Sequence, residues 1–432
     1  MTNHVGNIDH RALAEEVKAE FLHAWHGYKS FAWGHDDLKP LSRGFHDWHK
    51  VPLLMSALDG LDTMILMGLK EDADSTREYI ARNLSFDHDM VVQSFEIAIR
   101  MLGSLVSCYQ LTDDKRLLSL ADDLAHRLLP TFDSPTGMPY RNVNLRTGEV
   151  SGSVSNPAEI GTLLVEFGSL SRLTDNRKLY DLPRRAMTAL FDRKSRLGLF
   201  GTSIDVETGD WVNSESHIGG CIDSYYEYML KGSILFDDKE CESMWQNSID
   251  AINTHLAHET QDGFWYGVVD MNSGRRIATN FGALAAFFPA VLALSGDLER
   301  ADRFQESCFK SWTKFEVEPE VVDYTTWEVV SPAYPLRPET VESAYYLYHY
   351  TRDSKYLAMG KYIFGSLKRY CRSEVGYAGL SDVRSKAKAD HMESFFLSET
   401  LKYLYLLFSD DLDWDPTTTV FNTEAHPIRK DW

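Results

Sequence analysis

Leu111-Thr112-Asp113-Asp114-Lys115 returns in altered form along the chain, as Leu173-Thr174-Asp175-Asn176-Arg177, Phe236-Asp237-Asp238-Lys239, Leu294-Ser295-Gly296-Asp297 and Tyr350-Thr351-Arg352-Asp353. Each copy follows a leucine- or aromatic-rich stretch of helical period and precedes another such stretch. The copies recur at a period of roughly 60 residues, longer than most single structural repeats. Working outward from them, the apolar period predicts fourteen helices in seven pairs, over 10–28, 49–69, 74–84, 90–111, 115–129, 158–173, 177–192, 216–235, 239–256, 278–294, 298–314, 338–351, 354–371 and 391–408. An open solenoid of pairs needs atypical terminal repeats, whereas a closed ring buries every inner helix. The expected fold is therefore all-α, a closed toroid of seven helical hairpins, with Gly/Pro/Asn-rich loops such as 134–139 and 206–210 carrying short β-hairpins.

The chain has 432 residues, 44% hydrophobic and 12% aromatic, enough for a large core; length alone suggests two or three domains, but toroidal folds reach this size as one unit, and one domain over residues 1–432 stays open. A formal net charge of −20 argues against nucleic acid or an anionic membrane surface as partner, because phosphate binding needs a basic footprint. The first ten residues lack the basic and apolar regions of a secretion signal, and no window is apolar for the length of a membrane span. A soluble, unanchored and monomeric protein is expected. The five cysteines are scattered with no metal spacing, so neither a disulfide framework nor a zinc site is expected.

The acids carry the functional signal. In Leu336-Arg337-Pro338-Glu339-Thr340-Val341-Glu342-Ser343, Pro338 reads as the first helical residue, and Glu339 and Glu342, three apart, share one side of the first turn. Similar acidic starts recur at Glu96 with Arg100, at Glu159 and at Asp223, and Glu393 and Glu399 lie in the last helix. Any one of them is explained by capping or a surface ion pair. As a set on the inner helices of a ring, they gather at one mouth and read as a functional site.

Clustered carboxylates with aromatic neighbours suit glycoside hydrolysis by an acid and base pair, or the holding of a hard cation by oxygen ligands. One site would serve both. There is no phosphate loop, HExxH or GxSxG, and His46-Asp47-Trp48-His49 reads as a surface or packing feature rather than a metal site.

Several motifs together resemble the class I α-mannosidases of glycoside hydrolase family 47, and in particular the ER degradation-enhancing mannosidase-like branch. They are Asp59-Gly60-Leu61-Asp62-Thr63-Met64, Phe95-Glu96 with Ile99-Arg100, Thr136 through Tyr140, Val165-Glu166-Phe167, Asp223 through Tyr228, Pro335 through Ser343, Met392 through Thr400, and Phe421-Asn422-Thr423-Glu424-Ala425-His426-Pro427. The resemblance implies an (α/α)7 barrel plugged by a C-terminal hairpin. It also implies calcium-dependent, inverting, exo-acting hydrolysis of terminal α-1,2-linked mannose from mannose-containing oligosaccharides. It makes Glu96, Asp223 and Glu339 the catalytic carboxylates, with Glu96 as acid and Glu339 as base, although the division of roles among the three stays open. It places Arg100, Glu159, Arg337, Glu342, Phe395 and Glu399 in the sugar pocket. Thr423 is the implied calcium ligand, through carbonyl and hydroxyl, with Glu342, Glu399 and Glu424 holding the ion's waters.

The chain departs from the family pattern at Gly282, Ala283 and Ala286, where family members active on free glycans carry an Asp-His pair and a cysteine, so the usual disulfide is not expected. Cys221 stands where the family tunes branch preference. These softened contacts leave a second reading, a lectin-like mannose-glycan binding protein with little turnover.

Overall fold

A computed structural model describes residues 8–409 and 418–431; residues 1–7 of the segment read above for a secretion signal lie outside the described residues. The repeated turns are the fold's organising device. At each one an inner helix ends on a left-handed residue, Asp113 (φ 54°), Asp175 (φ 54°), Asp237 (φ 56°), Gly296 (φ 93°) or Arg352 (φ 56°). Asp and Gly accept that conformation more readily than most residues. The next residue starts the outer helix, and Asp114, Asp238, Asp297 and Asp353 each accept a backbone N–H of its first turn. One short turn thus stops one helix and starts the next, antiparallel to it.

The inner helices are Met55–Leu66, 94–112, 157–174, Asp223–Phe236, Phe288–Ser295, Glu339–Thr351 and 396–408. Each packs on the next, and 396–408 packs back on Met55–Leu66, so the ring closes. The outer helices are amphipathic. In Leu298–Phe315 the buried residues Ala301, Phe304, Gln305, Ser307, Cys308, Ser311 and Trp312 follow the three-and-four spacing of one helix face. Asp223–Phe236, in contrast, buries ten of its fourteen residues, as an inner wall must. The seventh pair joins the chain's two ends, His10–Phe31 against 396–408. The protein is an (α/α)7 barrel, as the sequence predicts. No helix among the described residues is long and apolar enough to cross a membrane.

Five predicted helices begin later than their apolar period suggests, 90–111 among them, where Val91–Gln93 forms a strand before the helix starts at Ser94. Residues 49–54 are irregular up to Leu54 (φ 61°), and after a strand that ends at Ser216 the chain is irregular up to Cys221 (φ 76°). Residues 280–282 pair as a strand with Val321–Asp323, and 391–395 hold an extended bridge at Met392. Apolar period alone does not separate an extended, buried lead-in from the helix it feeds.

Short turns link six of the inner helices to their outer partners, and first-turn residues of inner helices, from Glu96 and Glu159 to Glu339 and Glu399, line one cavity, so these helices run in the same direction. Their N-termini open at the end of the barrel that carries the long loops and small antiparallel sheets. The opposite end is plugged by the hairpin Thr419–Phe421 and Pro427–Arg429. Asn422 in its turn donates from Nδ2 to Ile99 O and to Glu166 Oε1, both at 2.8 Å. Lys402 Nζ donates to Ala425 O at 2.6 Å and pairs with Asp62 Oδ1 at 2.8 Å, and His426 Nδ1 meets Asp62 Oδ2 at 2.7 Å. All three of these ionisable groups are fully buried. Removing one partner from such a buried set costs about 3–5 kcal/mol, because the charge left behind is uncompensated.

Candidate active site

The open end of the barrel holds a cavity of about 350 Å³, within the size of small-ligand pockets, roughly 300–1,000 Å³. Helix starts deliver its acids. Glu339 is the first residue of Glu339–Thr351, with Pro338 just outside the helix, one position earlier than the proline preference suggests. Asp223 begins Asp223–Phe236, and Glu159 lies in the first turn after Pro157, its N–H received by the Asn156 side chain at 3.0 Å. These N-termini carry the helices' partial positive charge, which favours carboxylates.

Two further side chains are aimed by π-helical turns, over Ala98–Leu102 and Phe396–Thr400, which carry Arg100 and Glu399. Such wide turns shift a side chain's heading within a helix and recur at functional sites. Arg100 donates from Nε to Glu96 Oε2 at 3.0 Å and from Nη1 to Glu424 Oε2 at 2.6 Å, tying the helix wall to the hairpin turn. Two guanidiniums lie near the Phe395 ring, Arg100 at 5.8 Å and Arg337 at 5.6 Å from its centre. Arg337 is itself forked onto Glu320 at 3.2 and 2.7 Å. Glu159 receives Gln93 Nε2 at 2.7 Å and Ser155 Oγ at 3.1 Å, with Arg141 at 3.2 Å.

The cavity is short of positive charge. Glu96, Glu159, Asp223, Glu227, Glu339, Glu342, Glu399 and Glu424 line it, against the guanidiniums of Arg100, Arg141 and Arg337. Burial pushes Asp223 up to about 6, against its hydrogen bond from Ser224 N. Burial likewise lifts Glu339 to about 8, against the opposing pull of Arg337, and Oε2 of Glu339 is buried with no partner among the described residues. Glu342 is raised to about 8 by burial and by the Glu227 charge, and Glu424 to about 7 by burial against Arg100. Glu399 is raised well above the ordinary range by burial, then by Glu424, Glu339 and Glu342. Oxygen donors crowded until they hold protons are the setting a hard divalent cation relieves. Thr423, in the hairpin turn beside Glu424, lines the same cavity and offers neutral oxygens. The residues fit a calcium ion.

Every site residue named from the sequence lines this one cavity: Glu96, Arg100, Glu159, Asp223, Arg337, Glu339, Glu342, Phe395, Glu399, Thr423 and Glu424. Glu393, also noted as an inner-wall acid, does not line it and pairs with His391 at 3.3 Å instead. Sequence reasoning passed over Glu227, whose carboxylate is ion-paired to the buried Lys231 one turn on. The signal was an i, i+4 acid and base inside an otherwise apolar, aromatic helix. It also gave no role to Asp59, which accepts Ser394 Oγ at 2.5 Å and approaches Arg100 Nη1 at 3.9 Å. All five cysteines are free, and Cys221 lines the cavity mouth.

The model of glycosyl hydrolase family 47 matches residues 20–430. Alpha-mannosidase I MNS4 of Arabidopsis thaliana is 38% identical over 437 residues, covering 96% of this chain and 69% of the relative. The mouse ER degradation-enhancing alpha-mannosidase-like protein 2 is 36% identical over 450 residues, covering 96% and 77%. Among solved structures, the alpha-1,2-mannosidase from Trichoderma reesei superposes with a TM-score of 0.89 at 30% identity, covering 97% of this chain and 99% of that one.

Proposed function

This chain belongs to glycosyl hydrolase family 47 and is a glycoside hydrolase, and from that premise we propose that it removes terminal α-1,2-linked mannose from mannose-containing oligosaccharides, with inversion and dependence on calcium. The observation that carries the proposal is the gathering of Glu96, Asp223 and Glu339, from three separate inner helices, around one cavity closed below by the Thr423 turn.

Inverting hydrolysis needs one carboxyl to protonate the departing oxygen and one carboxylate to take a proton from the attacking water on the other face of the ring. Glu96 suits the first task. Its side chain is 27% exposed at the cavity, and Arg100 holds one oxygen so that the other stays free to reach the leaving group, directly or through a water. Glu339 suits the second, with a free buried Oε2 to receive the proton. Asp223 is the third carboxylate, held by Ser224 N at 2.8 Å, and it stabilises positive charge developing on the sugar. Arg100 and Arg337 each lie near the Phe395 ring, at 5.8 and 5.6 Å from its centre, which holds an aromatic side chain in the cavity wall for the apolar side of a hexose. Glu159 and Glu342 accept sugar hydroxyls. Thr423 would hold calcium through carbonyl and hydroxyl, with Glu342, Glu399 and Glu424 orienting the ion's waters. Bound there, the ion supplies charge that lets the neighbouring carboxylates ionise and polarises sugar hydroxyls.

The test is proton NMR of the anomeric signal during cleavage of an α-1,2-mannobiose unit, with chelator and then with calcium restored. Early β-mannose, lost with chelator and regained with calcium, is the expected result. Early α-mannose sinks the mechanism, and calcium-dependent binding without release favours the lectin-like reading.

A further inference from the structure

Outside the sugar cavity, three ligand-type side chains from distant parts of the chain meet at one point. The hairpin Asp37–Lys39 and Gly44–His46 pairs Asp37 directly opposite His46. The segment before the last inner helix bridges to that hairpin, Met392 N donating to Leu38 O at 3.0 Å, and so brings His391 alongside Asp37. The backbone therefore fixes all three positions before any side chain chooses a rotamer. His391 Nε2 lies 3.2 Å and His46 Nδ1 3.6 Å from Asp37 Oδ2, and the three atoms all fall within 4.8 Å of one another.

These separations suit a shared ion. Nitrogen and oxygen ligands at about 2.0–2.1 Å from a tetrahedral centre lie about 3.3 Å apart along each edge, and the two measured edges bracket that value. The orientation is suited as well. With Nε2 of His391 turned to Asp37, its Nδ1 faces Glu393 Oε1 at 3.3 Å, the carboxylate–histidine arrangement that fixes tautomer and ring direction in metal sites. Asp37 is fully buried; its Oδ2 also accepts Trp48 Nε1 at 2.5 Å, which orients the carboxylate and leaves that oxygen its second lone pair for an ion, and among the described residues Asp37 has no lysine or arginine ion pair. His46 is 47% exposed, which leaves a route in and an open fourth position. Two imidazoles and one carboxylate select a borderline ion over calcium, which takes oxygen.

We propose that Asp37 Oδ2, His46 Nδ1 and His391 Nε2 form a second metal site, for a zinc-class divalent transition ion, separate from the oxygen-lined cavity. Its occupant ties the Asp37–His46 hairpin to the 391–395 segment that ends in Phe395, and so braces the sugar pocket from outside. Of the 46–49 cluster, which reads from the sequence as a surface or packing feature, the proposal takes His46 alone.

The test uses the full chain without a histidine tag, saturated with calcium, and titrated with Zn2+ alone by calorimetry, with Co2+ absorption as the geometric readout. One equivalent of Zn2+ is expected, with the intense visible bands of tetrahedral Co2+. His46→Gln, at an exposed position that folding does not need, and His391→Gln should each weaken the binding at least about 10-fold, while His35→Gln, at a neighbouring histidine paired to Asp47, leaves it unchanged. No binding at 100-fold excess Zn2+, or one equivalent retained in the His46→Gln/His391→Gln double variant, overturns the site. A thermal scan of each variant separates lost ligands from lost fold.

Discussion

Glu339 shows how one residue's chemistry follows from its place. At the first turn of an inner helix it gains the helix's positive end, yet the ring buries it, and burial wins by lifting its carboxyl to about 8. In the metal-free chain at pH 7 the side chain is accordingly neutral, so Glu339→Gln preserves shape and charge and the fold should tolerate it. The expected outcome is a fall in turnover of roughly 10²- to 10⁴-fold, the usual share of an acid–base group. Affinity for a mannose disaccharide should stay within a few-fold by calorimetry. Turnover unchanged within a factor of two would remove Glu339 from the reaction. Such acids were legible in the sequence because helix starts have a composition of their own. What was not legible is how Arg100 and Glu399 are aimed. The π turns that carry them leave no residue signature, since they come from a hydrogen bond offset by one position in a continuous helix.

At the scale of the element, the repeated turns do two jobs with adjacent residues, and Asp238 does a third. It accepts Glu240 N at 2.9 Å and Cys241 N at 3.0 Å as a helix cap, and it also holds Arg184 Nε at 2.5 Å and Tyr180 Oη at 2.5 Å on the neighbouring outer helix. Burial acts to raise its carboxyl, but the Arg184 and Tyr180 bonds outweigh burial and hold it well below the ordinary range. A carboxyl depressed on folding stabilises fully above its unfolded value, about 3.9, and the contribution is lost progressively as pH falls from there toward the lower folded value. Asp238→Ala should therefore cost about 2–3 kcal/mol near pH 7, about 1 from the cap and the rest from charged hydrogen bonds. The deficit should shrink on acidification below pH 4, as read by urea midpoints; an equal deficit at pH 7 and pH 3 would refute the linkage. Gly103 marks another joint. In a helix interior alanine is worth about 1 kcal/mol over glycine, but a Cβ here would stand 2.5 Å from Asn422 Nδ2 and 3.2 Å from His426. Gly103→Ala should therefore destabilise, by roughly 1–3 kcal/mol, and should reduce activity through the displaced Thr423 turn. A variant with raised Tm and full activity would contradict this docking. The sequence pattern exposed the turns readily, but the glycine's reason lies more than 300 residues away in the C-terminal hairpin.

Over the whole molecule, the closed ring converts local helix signals into a single long-range consequence. The inner helices bring their starts to one mouth, so seven carboxylates that are individually ordinary at helix starts, with Glu424 of the hairpin, face three guanidiniums. The count of pairs and the ring were readable from the period and the turns. That the seventh pair joins the first helix to the last was readable only once the ring was assumed, because no local contact announces it. The acid excess works against the metal-free fold, since the carboxylates raise one another on top of burial. In the proposed calcium-bound state that opposition turns into binding energy. With calcium at about 100 times its Kd, the folded state should gain about 2.7 kcal/mol. For 432 residues, at about 2.1 cal/mol/K each, that is a rise of about 3 °C in Tm. Glu399→Gln separates the two effects, because it removes one crowded carboxylate and keeps its volume. Its metal-free Tm should hold or rise, while its calcium increment should fall below 1 °C. A variant that loses metal-free stability yet keeps the full increment would mean that Glu399 is a packing residue, and that the ion is held elsewhere in the barrel.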